Sequence, residues 1–185
     1  MVHTFAVYVD NKPGVLNRVA SLFRRRAFNI ESLTVGHTET AGVSRMTVVV
    51  DTDEYGARRL EAHLYKLVPV RRVENITHEP AIARDLALNK VAATGEARTH
   101  VMQLVDVYRA RIVDVSPESL VIETTGTEDK IDSLLEVLRP YGVVEMVRTG
   151  RVSMARRVHG APPHAPLPHG ASPTESRGDV SHGSV

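Results

Sequence analysis

The spacing of apolar residues changes several times along the first 79 positions. Phe5, Val7 and Val9 alternate with polar or small neighbours, the two-residue repeat of a strand with one face buried. Asp-Asn-Lys-Pro-Gly at 10–14 interrupts that repeat. Over 15–26, Leu16, Val19, Ala20 and Phe23 recur at helical spacing. Arg24, Arg25 and Arg26 close this helix, where cations complement the negative end of its dipole. Strand character returns over 28–37, a turn ends at Gly42, and 43–51 reads as a further strand. Asp53 is placed to cap a second helix with Leu60, Leu64 and Leu67 on one face. Pro69 follows its end, and 70–78 reads as a fourth strand. The order is β-α-β-β-α-β.

The pattern then repeats. Residues 83–93 read as a strand, and 94–108 as a helix carrying Ala97, Val101, Leu104 and Tyr108. Two short strands follow, joined by a Pro-Glu-Ser turn. A helix with Ile131, Leu134, Leu135 and Leu138 at i, i+3, i+4, i+7 comes next, with Thr127 as its cap and Pro140 and Gly142 as its stop. Residues 143–154 read as one last strand. Each unit predicts an antiparallel four-stranded sheet with both helices on one face, so the fold class is α+β, two tandem ferredoxin-like βαββαβ domains. The domains are placed at 1–79 and 80–155. The bare face or edge strand of such a sheet has to be covered or paired, and pairing with a second copy is the usual solution. Residues 156–185 are rich in Pro, Gly, Ser and His without apolar periodicity. They read as a disordered tail, because they bury too little to offset the entropy of ordering.

Composition narrows the function. A formal net charge of +1 supplies no global field for nucleic acid or a membrane surface. The absence of Cys removes disulfides, thiolate catalysis and Cys-ligated metal. No stretch approaches the ~20 apolar residues of a spanning helix, and the first residues lack the marks of a signal peptide. The expectation is a cytoplasmic protein. Stacking of RNA bases would need aromatics on the central strands, and the strand at 43–51 has none. No nucleophile–base motif or Gly-rich phosphate loop occurs, so no catalytic residue is assigned. His159, His164 and His169 recur in the tail without ordered carboxylates, and His3, His37, His63, His78 and His100 share no local constellation. No metal site is assigned either.

One stretch carries candidate binding chemistry. Pro13 suits the first turn of a helix, and Gly14 removes a side chain where the backbone turns into it. The free N–H groups behind them favour an anion such as a carboxylate. Asn11 both donates and accepts, and Leu16 and Ile30 offer apolar contact. Together these suit a free amino acid. An ordinary strand-to-helix turn uses the same residues, since Pro and Gly are commonplace there, and the loop alone does not decide between the two.

The segment DNKPGVLNRVASLFRRRAFNIESLTVG followed by SRMTVVV resembles the opening of the small, regulatory subunits of acetolactate synthase. The second half, with LALNKVAA, YRARIVDVSPESL and TGRVSMAR, resembles the same family, so the likeness spans about residues 3–157. Ala27 stands where many relatives have Gly, and Pro13 where some have Ser. The resemblance implies an N-terminal ACT domain that pairs with its twin into one continuous sheet. It implies that valine (leucine or isoleucine in some members) binds at that interface. Asn11, Lys12, Pro13, Gly14, Val15 and Leu16 of one protomer would then meet Asn29 and Ile30 of the other. It also implies a separate large catalytic subunit holding thiamine diphosphate, FAD and magnesium, with no cofactor in this chain. The alternatives are a free-standing ACT-type amino-acid sensor and an enzyme in its own right. The specific second half argues against the first, and the missing catalytic constellation against the other.

Overall fold

The computed structural model describes residues 1–156. Apart from Arg156, the expected tail lies outside the described residues, as do His159, His164 and His169. The first half comprises β1 (Val2–Asp10), α1 (Val15–Arg25), β2 (Ile30–His37), β3 (Val43–Asp51), α2 (Glu54–Tyr65) and β4 (Val70–Asn75). The second comprises β5 (Ala81–Ala92), α3 (Gly95–Val107), β6 (Arg111–Val115), β7 (Ser119–Gly126), α4 (Glu128–Leu138), β8 (Val143–Arg148) and β9 (Val152–Ala155). The first sheet has the order β2-β3-β1-β4 and the second β6-β7-β5-β8, with β9 also on β5. Every pairing is antiparallel. The chain thus adopts the tandem ferredoxin-like α+β architecture.

Helices cover one face of each sheet because their apolar stripes need the strands' inward residues. In the first half Phe5, Val7 and Val9 meet Val19 and Phe23 of α1 and Leu60 and Leu64 of α2 in one cluster. The buried face of α1 is Val15, Val19, Leu22 and Phe23, not the Leu16-led stripe read from spacing, and Leu16 is 45% exposed. In the second half Val91, Val101, Leu120, Ile122, Leu134 and Leu138 form the equivalent core. Asp53 caps α2 as expected, accepting from the Gly56 N–H at 2.6 Å. Thr127 occupies the N-cap of α4 with extended backbone but makes no side-chain bond there.

The first helix of each half ends in the same way. Phe28 N donates to Phe23 O at 3.0 Å and Ala27 N to Arg24 O at 3.2 Å, the paired bonds of a Schellman stop. Ala110 N to Val105 O and Arg109 N to Asp106 O repeat them after α3. The residue in the left-handed position is Ala27 (φ 55) in one case and Arg109 (φ 50) in the other. A side chain there costs free energy that glycine avoids. The edge-on contact of Phe23 with Phe28, 6.5 Å between ring centres, closes the first stop and aims the chain into β2.

The other face of the first sheet is not bare. Ala6 is fully buried and Thr4, Thr47 and Val49 nearly so, although they point away from α1 and α2. Part of their cover comes from the second half. The single strand read over 143–154 is broken at 149–151. There Arg151 N donates to Ser32 Oγ at 2.8 Å, and an Arg45 guanidinium N–H donates to Ser153 O at 2.5 Å. A Cβ on Gly150 would lie 2.8 Å from Leu33 O and 2.7 Å from Thr34 Oγ1, so only glycine permits this approach to β2. The face that the sequence left to be covered is thus covered in part by the chain itself.

Ala27→Gly is expected to raise the stability of the chain by about 1 kcal/mol, by removing the left-handed strain at an otherwise formed stop. The check is the denaturation midpoint, which should rise at an unchanged slope.

Candidate functional site

The loop between β1 and α1 is held by its backbone. Asp10 N donates to Pro69 O and Asn11 N to Gly42 O, both at 2.8 Å, which ties the loop to the turns after α2 and before β3. Lys12 N reaches Asp10 O at 3.0 Å and Val15 N reaches Lys12 O at 3.3 Å, so the chain turns tightly into the helix. Gly14 is the N-cap, at φ 79 and ψ −4. That left-handed conformation is the physical reason for glycine here, since nothing lies within 4 Å of where its Cβ would be. Crowding within the chain is therefore no part of the effect of a side chain at this position.

Among the described residues no side chain caps α1, and no acidic residue lies in its first turn. Its leading amides keep the positive end of the dipole unopposed. Asn11, Lys12, Pro13, Gly14 and Leu16 are exposed, and only Val15 is buried. Asp10 is engaged nearby: its carboxylate accepts from Arg71 Nε at 2.6 Å and pairs with Lys12 Nζ at 3.2 Å. The Arg71 hydrogen bond, against some desolvation and with help from Lys12, lowers the Asp10 pKa below its ordinary 3.8.

The structure does not bring all the predicted site residues together within one chain. Asn11 Nδ2 lies 3.4 Å from His37 Nδ1, at the C-terminal end of β2. Asn29 precedes the other end of β2, exposed, and donates to Glu31 Oε1. Ile30 packs partly against the core beside it. At roughly 3.3 Å per residue, about 25 Å of strand separates the two asparagines. Strand β2 lies at the sheet edge, its far side unpaired among the described residues. Its sequence IESLTVGH contains no Pro, Lys or Arg, the residues that usually protect an edge. The opposite edge, β4, carries Arg71, Arg72 and Glu74.

Sequence spacing missed one grouping. His3, Glu54 and His78 belong to β1, the first turn of α2 and the connection after β4, and their ligand atoms lie within 4.8 Å of one another. These histidines share no local constellation in the sequence, and the fold brings His3 and His78 together from distant positions. The spacings of 51 and 24 residues that separate the three carry no local signal; only sheet pairing unites them.

Comparison with known proteins places the chain. Residues 84–157 match the family described as the small subunit of acetolactate synthase. Residues 5–72 match the ACT domain described as AHAS small subunit-like. A probable acetolactate synthase small subunit of Archaeoglobus fulgidus is 51% identical over 156 residues, 84% of this chain and 98% of its own. The chain belongs to the acetolactate synthase small-subunit family. The small subunit of Bacillus subtilis is 45% identical, over 84% of this chain and 91% of its own. The crystal structure of the small subunit from Thermotoga maritima superposes with a TM-score of 0.80 at 40% identity, over 86% of this chain and 99% of that one. The chain is accordingly a non-catalytic small subunit with an ACT-type regulatory domain, and such a subunit associates with the acetolactate synthase large subunit. No helix among the described residues is long and apolar enough to cross a membrane.

The lowered Asp10 pKa sets a pH dependence. The group adds stability above its unfolded value, and the contribution disappears as pH falls through the lower folded value. Acid unfolding of Asp10→Asn, compared with the parent, should show a stability deficit at neutral pH that closes below pH 3.8. The deficit is expected to stay under about 1 kcal/mol, because solvent screens this partly exposed pair.

Proposed function

We propose that this small subunit activates its large catalytic subunit and transmits feedback inhibition by valine, bound at a site shared between two copies of the ACT domain. The observation that carries the proposal is the position of Asn11 and Asn29 at opposite ends of the unprotected edge strand β2. If β2 pairs antiparallel with the same strand of a second copy, its direction reverses. Asn29 and Ile30 of the second copy then arrive at the end that carries Asn11 and the start of α1. Two equivalent half-sites become two complete ones.

The chemistry of each completed site suits a small aliphatic amino acid. The uncapped start of α1 offers N–H groups and dipole to the carboxylate. The two asparagine amides offer acceptors to the ammonium group. Leu16, 45% exposed and outside the core, and Ile30 offer apolar contact to a branched side chain. Because the site exists only in the dimer, the ligand binds one dimer arrangement better than others. Through linkage that preference biases the large subunit in contact with it.

Acetolactate formation by the cognate large subunit should rise when this chain is added, and valine should reverse the gain. Gly14→Asp is expected to weaken the valine response at least tenfold, about 1.4 kcal/mol of binding, with activation retained. The causes are charge beside the ligand carboxylate and strain at φ 79. Asn29→His should act in the same direction. A wild-type valine response in both variants would sink the shared site.

Lysine on an edge strand opposes pairing. Val35→Lys on β2, at an exposed position, should therefore shift the chain towards monomer in sedimentation and reduce the valine response in parallel. A stable dimer that keeps full sensitivity would place the interface elsewhere.

A further inference from the structure

We propose that His3, Glu54 and His78 form a binding site for a divalent transition metal of the zinc class, which clamps the connection between the two halves of the chain to the first sheet. The three side chains come from separate elements, and their ligand atoms lie within 4.8 Å of one another. His78 Nε2 and Glu54 Oε1 are already 2.8 Å apart. Two imidazoles and one carboxylate are a donor set that zinc favours, with water completing the sphere. Tetrahedral zinc, at ~2.0–2.1 Å from each ligand, places ligand atoms roughly 3.3 Å apart. Glu54 and His78 are exposed, so their side chains are free to close the remaining distance.

An ordinary surface ion pair accounts for Glu54 and His78. It does not account for His3. That residue is fully buried on the central strand, and its Nε2 has no hydrogen-bond partner among the described residues. The hydrogen bonds on its other side settle which nitrogen carries the proton. Thr77 Oγ1 donates its single hydrogen to Asn75 Oδ1 at 2.5 Å and accepts from Thr4 N at 3.0 Å. Asn75 Oδ1 also accepts from Thr77 N at 3.2 Å, which identifies it as the amide oxygen. The contact of 3.4 Å between Thr77 Oγ1 and His3 Nδ1 therefore has the imidazole as donor. With its proton on Nδ1, the His3 ring presents the Nε2 lone pair without a partner among the described residues. Metal-ligating histidines are commonly oriented in this way, with the second nitrogen donating to an outer partner. The His3 and His78 rings meet edge to face, 6.2 Å between centres.

Bound metal would join β1, the first turn of α2 and the connection between β4 (ending at Asn75) and β5 (starting at Ala81). That connection carries the second half, so the clamp would restrict how the halves move against each other. This inference does not depend on the valine site.

The test uses the full chain with His159, His164, His169 and His182 replaced by Gln, so that the tail histidines do not contribute. Zn2+ titrated calorimetrically into this protein should bind at one equivalent and raise its melting temperature. His78→Gln and Glu54→Gln, both at exposed positions, should each weaken binding at least tenfold and remove the thermal shift. His3→Gln should do the same while keeping the parent circular dichroism. Absence of Zn2+ binding would overturn the proposal. So would binding left unchanged by His78→Gln and Glu54→Gln.

Discussion

Strand β1 has to be covered on both faces, and the arrangement of the molecule follows from that requirement. It lies between β3 and β4, and Phe5, Ala6 and Val7 are all fully buried. One face is covered by α1 and α2, whose apolar stripes are built for it. The other is covered in part by the segment that carries Gly150, Arg151 and Ser153 of the second half. Leaving Ala6, Thr47 and Val49 in water would forfeit burial worth roughly 25 cal/mol per Å² of apolar surface. The halves are therefore packed together as well as joined in sequence. Gly150 makes that possible, because its backbone reaches β2 where a Cβ could not fit.

With one face of the first sheet under its helices and the other covered in part by the second half, the edges of the sheet remain. The two edges differ in charge. β4 carries Arg71, Arg72 and Glu74, and β2 carries Glu31 alone among Asp, Glu, Lys and Arg. Asp10, Arg71 and Lys12 hold the loop into α1 at the end of the sheet where Asn11 meets His37. Placed there, the loop presents unopposed helix amides next to an unpaired strand. Under the proposed function, a second copy pairing along β2 would complete this surface.

The fold was largely legible in the sequence. Strands and helices followed from two-residue and helical spacing, and Asp53, Pro69 and Gly14 marked their boundaries where the backbone needed them. The errors came where packing overrode local pattern. Leu16 fits the helical repeat of α1 as well as Val15 does, but the helix is rotated to bury Val15, Val19 and Leu22. Residues 143–154 read as one strand, but it is interrupted at 149–151, where the backbone comes against β2. Thr127 does stand at the N-cap of α4 as read, although its side chain makes no hydrogen bond there. Ala27 stands in a position that favours glycine, and the Phe23–Phe28 contact and two backbone bonds hold it there.

The candidate sites separate what each level determines. The sequence by itself determined the element order, the duplication, the family and the chemistry of the loop at 10–16, because all of these reside in neighbouring residues. The placement of Asn11 and Asn29 at opposite ends of one edge strand was decided by β2 pairing with β3 on one side only. The grouping of His3, Glu54 and His78 was decided by sheet register and by the first turn of α2. Contacts between residues far apart in the chain depend on which strands pair and which helix face turns inward. Both are settled by burial summed over the whole core, and no local spacing encodes that sum.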